Sequence, residues 1–254
     1  MNGPPILQVV NVSHSYYTKK GVMLEVLRNL TFDLHYGEFL GVVGQSGSGK
    51  TTLLKIMAGL VKPSAGQVLY KGKPVNSPTP AISLVFQEPV LFPWLTVLEN
   101  VMLALKRAEN ISREEMMIKA QSFLDMVGLS GFENSYPREL SGGMKQRVVL
   151  ARALVTNPDV LLMDEPFSNL DPLTAVSLRR EIDMLRQHET LPPSSVLLVS
   201  HNVEEIVELS DRVLVLTSRP AQIAGEIKIN MEKPRDRRSP KFYEYVDAVF
   251  TLMS

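Results

Sequence analysis

The sequence predicts an α/β fold: a core of buried strands carries a phosphate-binding loop, and a helical lobe is inserted between the two halves of that core. Three observations predict it. The apolar run Phe39-Leu40-Gly41-Val42-Val43 leads through a glycine-rich turn into the helical pattern Leu53-Leu54-Lys55-Ile56-Met57-Ala58, and strand, glycine-rich turn and helix in that order form a phosphate-binding unit. Val160-Leu161-Leu162-Met163 and Val196-Leu197-Leu198-Val199 are apolar runs too short for helices, the pattern of parallel strands buried on both faces. Between about residues 90 and 155 the apolar period changes to that of helices.

Taken in order, Ile6 to Ser13 reads as a strand ending near Ser15-Tyr16-Tyr17, and Leu30 to His35 as a second one, which turns at Tyr36-Gly37-Glu38. After the loop helix, Gly59 to Gly66 is a stop and a loop. Gly66-Gln67-Val68-Leu69-Tyr70 is a strand turned by Lys71-Gly72-Lys73-Pro74, and Ile82-Ser83-Leu84-Val85-Phe86 is a strand that delivers Gln87. In the helical segment, Thr96 with Glu99 and Ser112 with Glu115 have capping-box spacing. Met116, Ala120, Phe123, Leu124 and Val127 fall on one helical face, a core stripe rather than a ligand site.

Ala175, Leu178, Ile182 and Leu185 mark an amphipathic helix that Leu191-Pro192-Pro193-Ser194 breaks. A short helix from Asn202 and the strand Arg212 to Leu216 follow. Pro220 to Pro240 is rich in Pro, Arg and Lys and reads as an extended surface segment. Ser239-Pro240 opens a last helix with Phe242, Val246, Val249, Phe250 and Met253 on one face, docked on the same domain or offered to a partner. The expected organisation is a single domain over 1–254: a core of 1–88 and 156–230, a helical subdomain of about 89–155, and a C-terminal extension of 231–254.

At 254 residues the chain can bury a substantial core. Its 27 basic and 27 acidic side chains balance, which argues against a dedicated nucleic-acid binder. It has no cysteine, so disulfides and thiolate metal sites are excluded. The first residues show no secretory signal, and no run approaches the ~18 apolar residues that span a bilayer. The expectation is a soluble, cytoplasmic protein whose membrane association comes through a partner.

The chemistry sits on three short stretches. In Gly44-Gln45-Ser46-Gly47-Ser48-Gly49-Lys50-Thr51-Thr52 the glycines let successive N–H groups converge on phosphate oxygens, and the following helix adds the positive end of its dipole. Lys50 reaches the β- and γ-phosphates of a nucleoside triphosphate, and the Thr51 hydroxyl is placed for Mg²⁺. At the tip of Val160-Leu161-Leu162-Met163 stand Asp164, a carboxylate for the Mg²⁺ shell, and Glu165, a candidate general base for the attacking water. Leu140-Ser141-Gly142-Gly143-Met144-Lys145-Gln146-Arg147 opens a helix with a second anion-binding geometry; alone, Ser-Gly-Gly is more often an N-cap and a turn.

These residues together strongly resemble the nucleotide-binding subunit of an ABC transporter, over about residues 6 to 230. The motifs stand in the family's order: Tyr16, the loop at 44–52, Gln87, the signature at 140–144, Asp164 and Glu165, Ser168-Asn169-Leu170-Asp171, and His201. The resemblance implies an ABC cassette with a RecA-like core, an antiparallel β subdomain and an inserted helical subdomain. It implies ATP and Mg²⁺ bound in a head-to-tail dimer with a second copy or a paralogous ATPase subunit. Tyr16 is then the adenine-stacking aromatic, with Tyr17 its competitor. Gln87 touches the Mg²⁺ or the attacking water and relays nucleotide state to the helical lobe. His201 meets the γ-phosphate, Asp171 of the D-loop couples the sites, and Ser141, Gly142 and Gly143 face the other subunit's ATP. His14, His35 and His188 read as structural or exposed. Met144 stands where the family most often has Gln, and Asn169 where Ala is more usual.

Within the family, the Leu140–Gln146 run, Met163-Asp164-Glu165-Pro166-Phe167, and Ser218-Arg219-Pro220 followed by Pro234-Arg235-Asp236-Arg237 resemble the nitrate/sulfonate/taurine importer group, which includes bicarbonate and some vitamin-precursor importers. That resemblance implies transmembrane permease subunits, an indirect extracytoplasmic substrate-binding protein, no nucleic-acid partner, and a place at the cytoplasmic face of the membrane. The alternatives are an exporter subunit of the same cassette type, or a non-transport ATPase of the family acting on DNA or ribosomes.

Overall fold

The computed structural model describes residues 4–107, 111–187, 193 and 195–253. His188 and the break at 191–194, Pro193 aside, lie outside the described residues. The chain divides into two compact units. The first comprises Met1–Thr79, Leu162–Asp164 and Ser195–Ser254; the second comprises Pro80–Leu161 and Glu165–Ser194. The helical segment expected at 89–155 thus falls in the second unit together with flanking core segments. The C-terminal extension belongs to the first.

In the first unit, β1 (Pro5–Tyr17) and β2 (Met23–His35) form a long antiparallel hairpin, and β4 (Ala65–Tyr70) and β5 (Lys73–Pro74) extend it in the order β2-β1-β4-β5. The hairpin is longer than the sequence suggests because it is bulged. Asn11 and Asn29 take left-handed φ values of 49° and 48°, a conformation that asparagine tolerates better than most residues. Each is fixed across the ladder: the Asn11 N–H donates to Thr31 Oγ1 at 2.9 Å and the Asn29 N–H to Ser13 Oγ at 2.9 Å.

The parallel core of this unit is β3 (Phe39–Val43), flanked by β8 (Ser195–Ser200) and β9 (Arg212–Leu216). All of β3 and β8 is buried, which is why their residues read as unbroken apolar runs. Each large aliphatic side chain so buried contributes about 1.5–3 kcal/mol. The edge strand β10 (Ile223–Lys228) pairs antiparallel with β9 and lies inside the segment expected to be extended surface chain. Glu38, 6% exposed, is paired with Arg212, whose Nη2 also donates to Asp33 O at 2.5 Å. Through Asp33 O, Arg212 ties β2 to the base of β9.

The rest of the tail is also structured. Arg235 is buried, and its guanidinium donates to Val207 O at 2.5 Å, Glu208 O at 3.2 Å and Ser210 O at 2.5 Å. These are the carbonyls left without partners at the end of α6 (Val203–Leu209). The last helix, α7 (Pro240–Met253), packs Phe242, Val246 and Val249 against the same unit, on α6, β9 and β10. Phe250 instead stays half exposed.

The second unit holds β6 (Ile82–Val85) beside the Val160–Leu161 start of β7 (Val160–Asp164), with the Val160 N–H donating to Ala81 O at 3.0 Å. Its helices α2 (Val97–Met102), α3 (Arg113–Met126) and α4 (Gly142–Leu154) pack on one another, and α4 also packs on β6. Both capping boxes form: Thr96 N–H to Glu99 Oε2 at 2.8 Å, Ser112 N–H to Glu115 Oε2 at 2.8 Å, each with its reciprocal bond. Ala120, Phe123, Leu124 and Val127 of the α3 stripe are buried, and Met116 is partly so. The helix α5 (Pro172–Gln187) completes the unit. Among the described residues no helix is long and apolar enough to cross a membrane.

Candidate functional site

The first unit gathers Tyr16, the loop 44–52, Asp164 and His201. Parallel pairing aligns Val43 with Ser200, so the glycine-rich loop and His201 leave the same edge of two neighbouring strands. Ligands of open α/β sheets bind at such carboxyl ends. Asp164, 4% exposed, ends β7.

The loop has the features of an anion cradle. Helix α1 (Lys50–Met57) starts from Gly49, which has φ 110° and offers no side chain to cap the first N–H groups. A Cβ at Gly49 would stand 2.7 Å from Val26 Cγ1 and 2.8 Å from Leu27 Cδ2, so the backbone approaches β2 as closely as only glycine permits. The Ser48 hydroxyl, in a residue 1% exposed, is buried without a hydrogen-bond partner. Lys50 is 6% exposed and curls over its own loop, its Nζ donating to Gly44 O at 2.8 Å and Gln45 O at 3.0 Å. Uncapped amides, an unpartnered buried hydroxyl and a convergent ammonium together fit phosphate oxygens. The hydroxyl of Thr51 and the carboxylate of Asp164 are hard oxygen donors, the type Mg²⁺ takes.

Tyr16 is half exposed, with its hydroxyl 3.5 Å from Thr52 Oγ1 and its ring edge-on to His14 at 4.6 Å. Tyr17, 74% exposed, sits next along the strand, where side chains alternate between faces. The position favours Tyr16 over Tyr17 as the aromatic at the loop. His201 itself is exposed, on a braced turn: the Asn202 N–H donates to Ser200 Oγ at 3.0 Å, and Asn202 caps α6 by accepting from the Glu205 N–H at 3.2 Å.

The remaining predicted residues belong to the second unit. Gln87 Nε2 donates to Ser168 Oγ at 3.3 Å, and Ser168 Oγ donates to Glu165 O at 3.0 Å, so one serine links Gln87 to the backbone of Glu165. Glu165 has φ 45°, a left-handed backbone that a residue with a side chain adopts only under local compulsion. Ser141 caps α4 by accepting from the Met144 N–H at 3.2 Å. A Cβ at Gly143 would stand 2.4 Å from Thr174 Cγ2. Asp171 Oδ1 accepts from the Thr174 N–H at 3.0 Å, and the Thr174 hydroxyl and amide hold its carboxyl below the usual carboxylate range. Thr174 therefore joins the Gly143 turn to the Asp171 turn.

Two further residues of the first unit stand beside the site. One is Arg219, which binds Gly47 O. The other is His14, 8% exposed, with Nε2 buried and unpartnered and Nδ1 3.4 Å from Ser64 Oγ. Burial pushes the His14 imidazole below its ordinary range. The unfolded chain takes up a proton near pH ~6.5 that the folded chain refuses, so this contribution is complete above about 6.5 and is lost as pH falls toward the lower folded value. We expect the unfolding temperature of the nucleotide-free chain to drop on acidification below pH ~6.5. His14→Gln should flatten that slope, and an unchanged slope would show that His14 is not its source.

Comparison with known proteins gives a consistent answer. A family model described as "ABC transporter" matches residues 27–168. The nitrate import ATP-binding protein NrtD of Synechocystis is 41% identical, over 97% of this chain and 94% of its own length. The aliphatic sulfonates import ATP-binding protein SsuB of Bacillus thuringiensis is 38% identical, over 92% of this chain and 91% of its own. Among solved structures, a dimeric ATP-binding cassette in a post-hydrolysis state bound to ADP and phosphate superposes with a TM-score of 0.78 at 31% identity, over 89% of this chain and all of the other.

Proposed function

The chain belongs to the ABC transporter family, and from that we propose that it is the ATP-binding subunit of an importer, an ATPase that drives uptake of a small oxyanion. The phosphate cradle at 44–52, with Lys50 folded over it and His201 on the neighbouring strand end, carries this reading. The names of its relatives favour import over export and point to nitrate or sulfonates, the class that taurine and bicarbonate importers extend.

In this reading Tyr16 stacks on adenine, and Gly44, Gln45, Ser46, Gly47, Ser48 and Gly49 hold the phosphates with Lys50, Thr51 and Thr52. Thr51, Asp164 and Gln87 would hold Mg²⁺, which would supply charge neutralisation at the phosphates. Glu165 takes the proton from water as the water oxygen bonds to the γ-phosphorus and the bond to the ADP oxygen breaks. His201 meets the γ-phosphate. Ser141, Gly142 and Gly143 complete the site of the facing subunit in a head-to-tail dimer of like or paralogous subunits, and Asp171 couples the two sites. The dimeric state of a structural neighbour supports this arrangement.

A permease is the partner that such a subunit moves, with a substrate-binding protein acting beyond it and the subunit held peripherally at the cytoplasmic face of the membrane. A surface of suitable chemistry stands just after Gln87. Val90 is 61% and Trp94 70% exposed, while buried Asn100 fixes their loop through Phe92 N and O, Leu95 O and Thr96 O. A rigid, exposed apolar loop matches the anchor residues of protein interfaces.

The shared site gives the test. ATPase activity per chain should rise with protein concentration, because each site needs residues from a facing copy. Constant specific activity from a demonstrated monomer would overturn the shared site. Failure of the reconstituted complex to move nitrate, sulfonates or bicarbonate would overturn the substrate class.

A further inference from the structure

The Ser218-Arg219-Pro220 stretch has no role in the chemistry above, yet its arginine touches the phosphate loop. Arg219 donates from Nη2 to Gly47 O at 2.7 Å and from Nε at 3.1 Å, so both bonds of its fork fall on one carbonyl. Gly47 has a left-handed φ of 77°. In a trans peptide the C=O of one residue and the N–H of the next point in opposite directions. Holding the Gly47 carbonyl outward therefore aims the Ser48 N–H the other way, into the loop, where it donates to Gln45 O at 3.1 Å and closes the turn beneath Lys50. A charged donor on the carbonyl also polarises that peptide and strengthens its N–H as a donor.

The arginine stands on a braced loop. Thr217 Oγ1 accepts from the Gln222 N–H at 3.0 Å, and the Thr217 N–H donates to Gln222 O at 2.9 Å. Ala221 is pinned to β2 by Ala221 N–H to Val26 O at 2.8 Å and Arg28 N–H to Ala221 O at 2.9 Å. Val26 and Leu27 of the same strand are the residues against which Gly49 packs. Both ends of the phosphate loop's support thus rest on β2, and little freedom is left for Arg219 to lose on binding.

We propose that Arg219 is a positioning residue for the nucleotide: it locks the Gly47–Ser48 peptide, whose N–H closes the loop's inner turn on Gln45 O, and adds a fixed positive charge behind the phosphates. The proposal rests on the reading of 44–52 as an ATP site. It assigns Arg219 to ground-state binding of the phosphates, so its loss raises Kd and KM while kcat holds.

The test is calorimetric titration of ATP into the full chain, with thermal unfolding of the nucleotide-free protein alongside. Arg219→Ala should weaken ATP roughly three- to tenfold, the range for an exposed, charge-assisted contact. Arg219→Lys, which keeps the charge but not the fork, should fall between it and the parent. Nucleotide-free unfolding temperatures should match, because the side chain is exposed. Parent-like affinity in Arg219→Ala, or weaker affinity matched by an equal loss of nucleotide-free stability, would overturn the proposal. Absence of ATP binding by the parent protein would instead sink the reading of the loop.

Discussion

Replacing Lys50 with alanine should remove ATP binding at concentrations that saturate the parent protein while leaving the fold intact. The ammonium is almost fully buried and rests on Gly44 O and Gln45 O of its own loop. Those carbonyls hold the charge until phosphate oxygens take it. Removing one partner of a desolvated charge pair costs about 2–5 kcal/mol, roughly one and a half to three and a half decades in affinity. The same removal relieves the nucleotide-free protein of a buried cation, so its unfolding temperature should hold or rise slightly. Calorimetric titration with ATP and thermal unfolding without it separate the two effects. Binding within threefold of the parent would mean that the loop is not the phosphate site. A collapse of nucleotide-free stability would mean that Lys50 is structural.

How far the sequence shows this molecule depends on where each residue's partner lies. Gly44–Thr52 could be read directly because its conformation is set by its own glycines and the helix that follows. β3 and β8 could be read because burial on both faces leaves unbroken apolar runs. The β1–β2 hairpin reads short, since its bulges at Asn11 and Asn29 interrupt the two-residue alternation on which strand recognition depends. β10 was hidden inside a basic, proline-rich segment, where its alternation of half-buried and exposed residues is weak.

The contacts of Arg235 and Arg219 are hidden for a different reason. Each binds backbone carbonyls, of α6 and of Gly47, and a carbonyl carries no residue identity that sequence could match to an arginine. The tail therefore reads as surface chain, although Arg235 in it is buried. The left-handed backbone of Glu165 is likewise invisible in a glutamate's name. It could be suspected only from the role that resemblance gives the position.

Glu165→Gln should lower turnover by about 10²–10⁴, the range for a lost general base, with ATP binding kept. Glutamine preserves the shape and removes the proton acceptor. The backbone should not respond, because Ser168 holds the Glu165 carbonyl with its hydroxyl at 3.0 Å and its N–H at 3.3 Å whatever the side chain is. Glu165→Gly separates chemistry from strain. The left-handed φ of 45° costs a residue with a Cβ roughly 1–2 kcal/mol, which glycine recovers, less about 0.4–1 kcal/mol for its looser unfolded chain. The glycine variant should therefore unfold at an equal or slightly higher temperature than the parent while hydrolysing ATP as poorly as the glutamine variant. Single-turnover hydrolysis and thermal unfolding on the same preparations decide it. Parent-like hydrolysis in either variant would place the base elsewhere. A glycine variant markedly less stable than the parent would show that the glutamate side chain supports the fold, and the strained backbone would then need another explanation than a carboxylate held out for water.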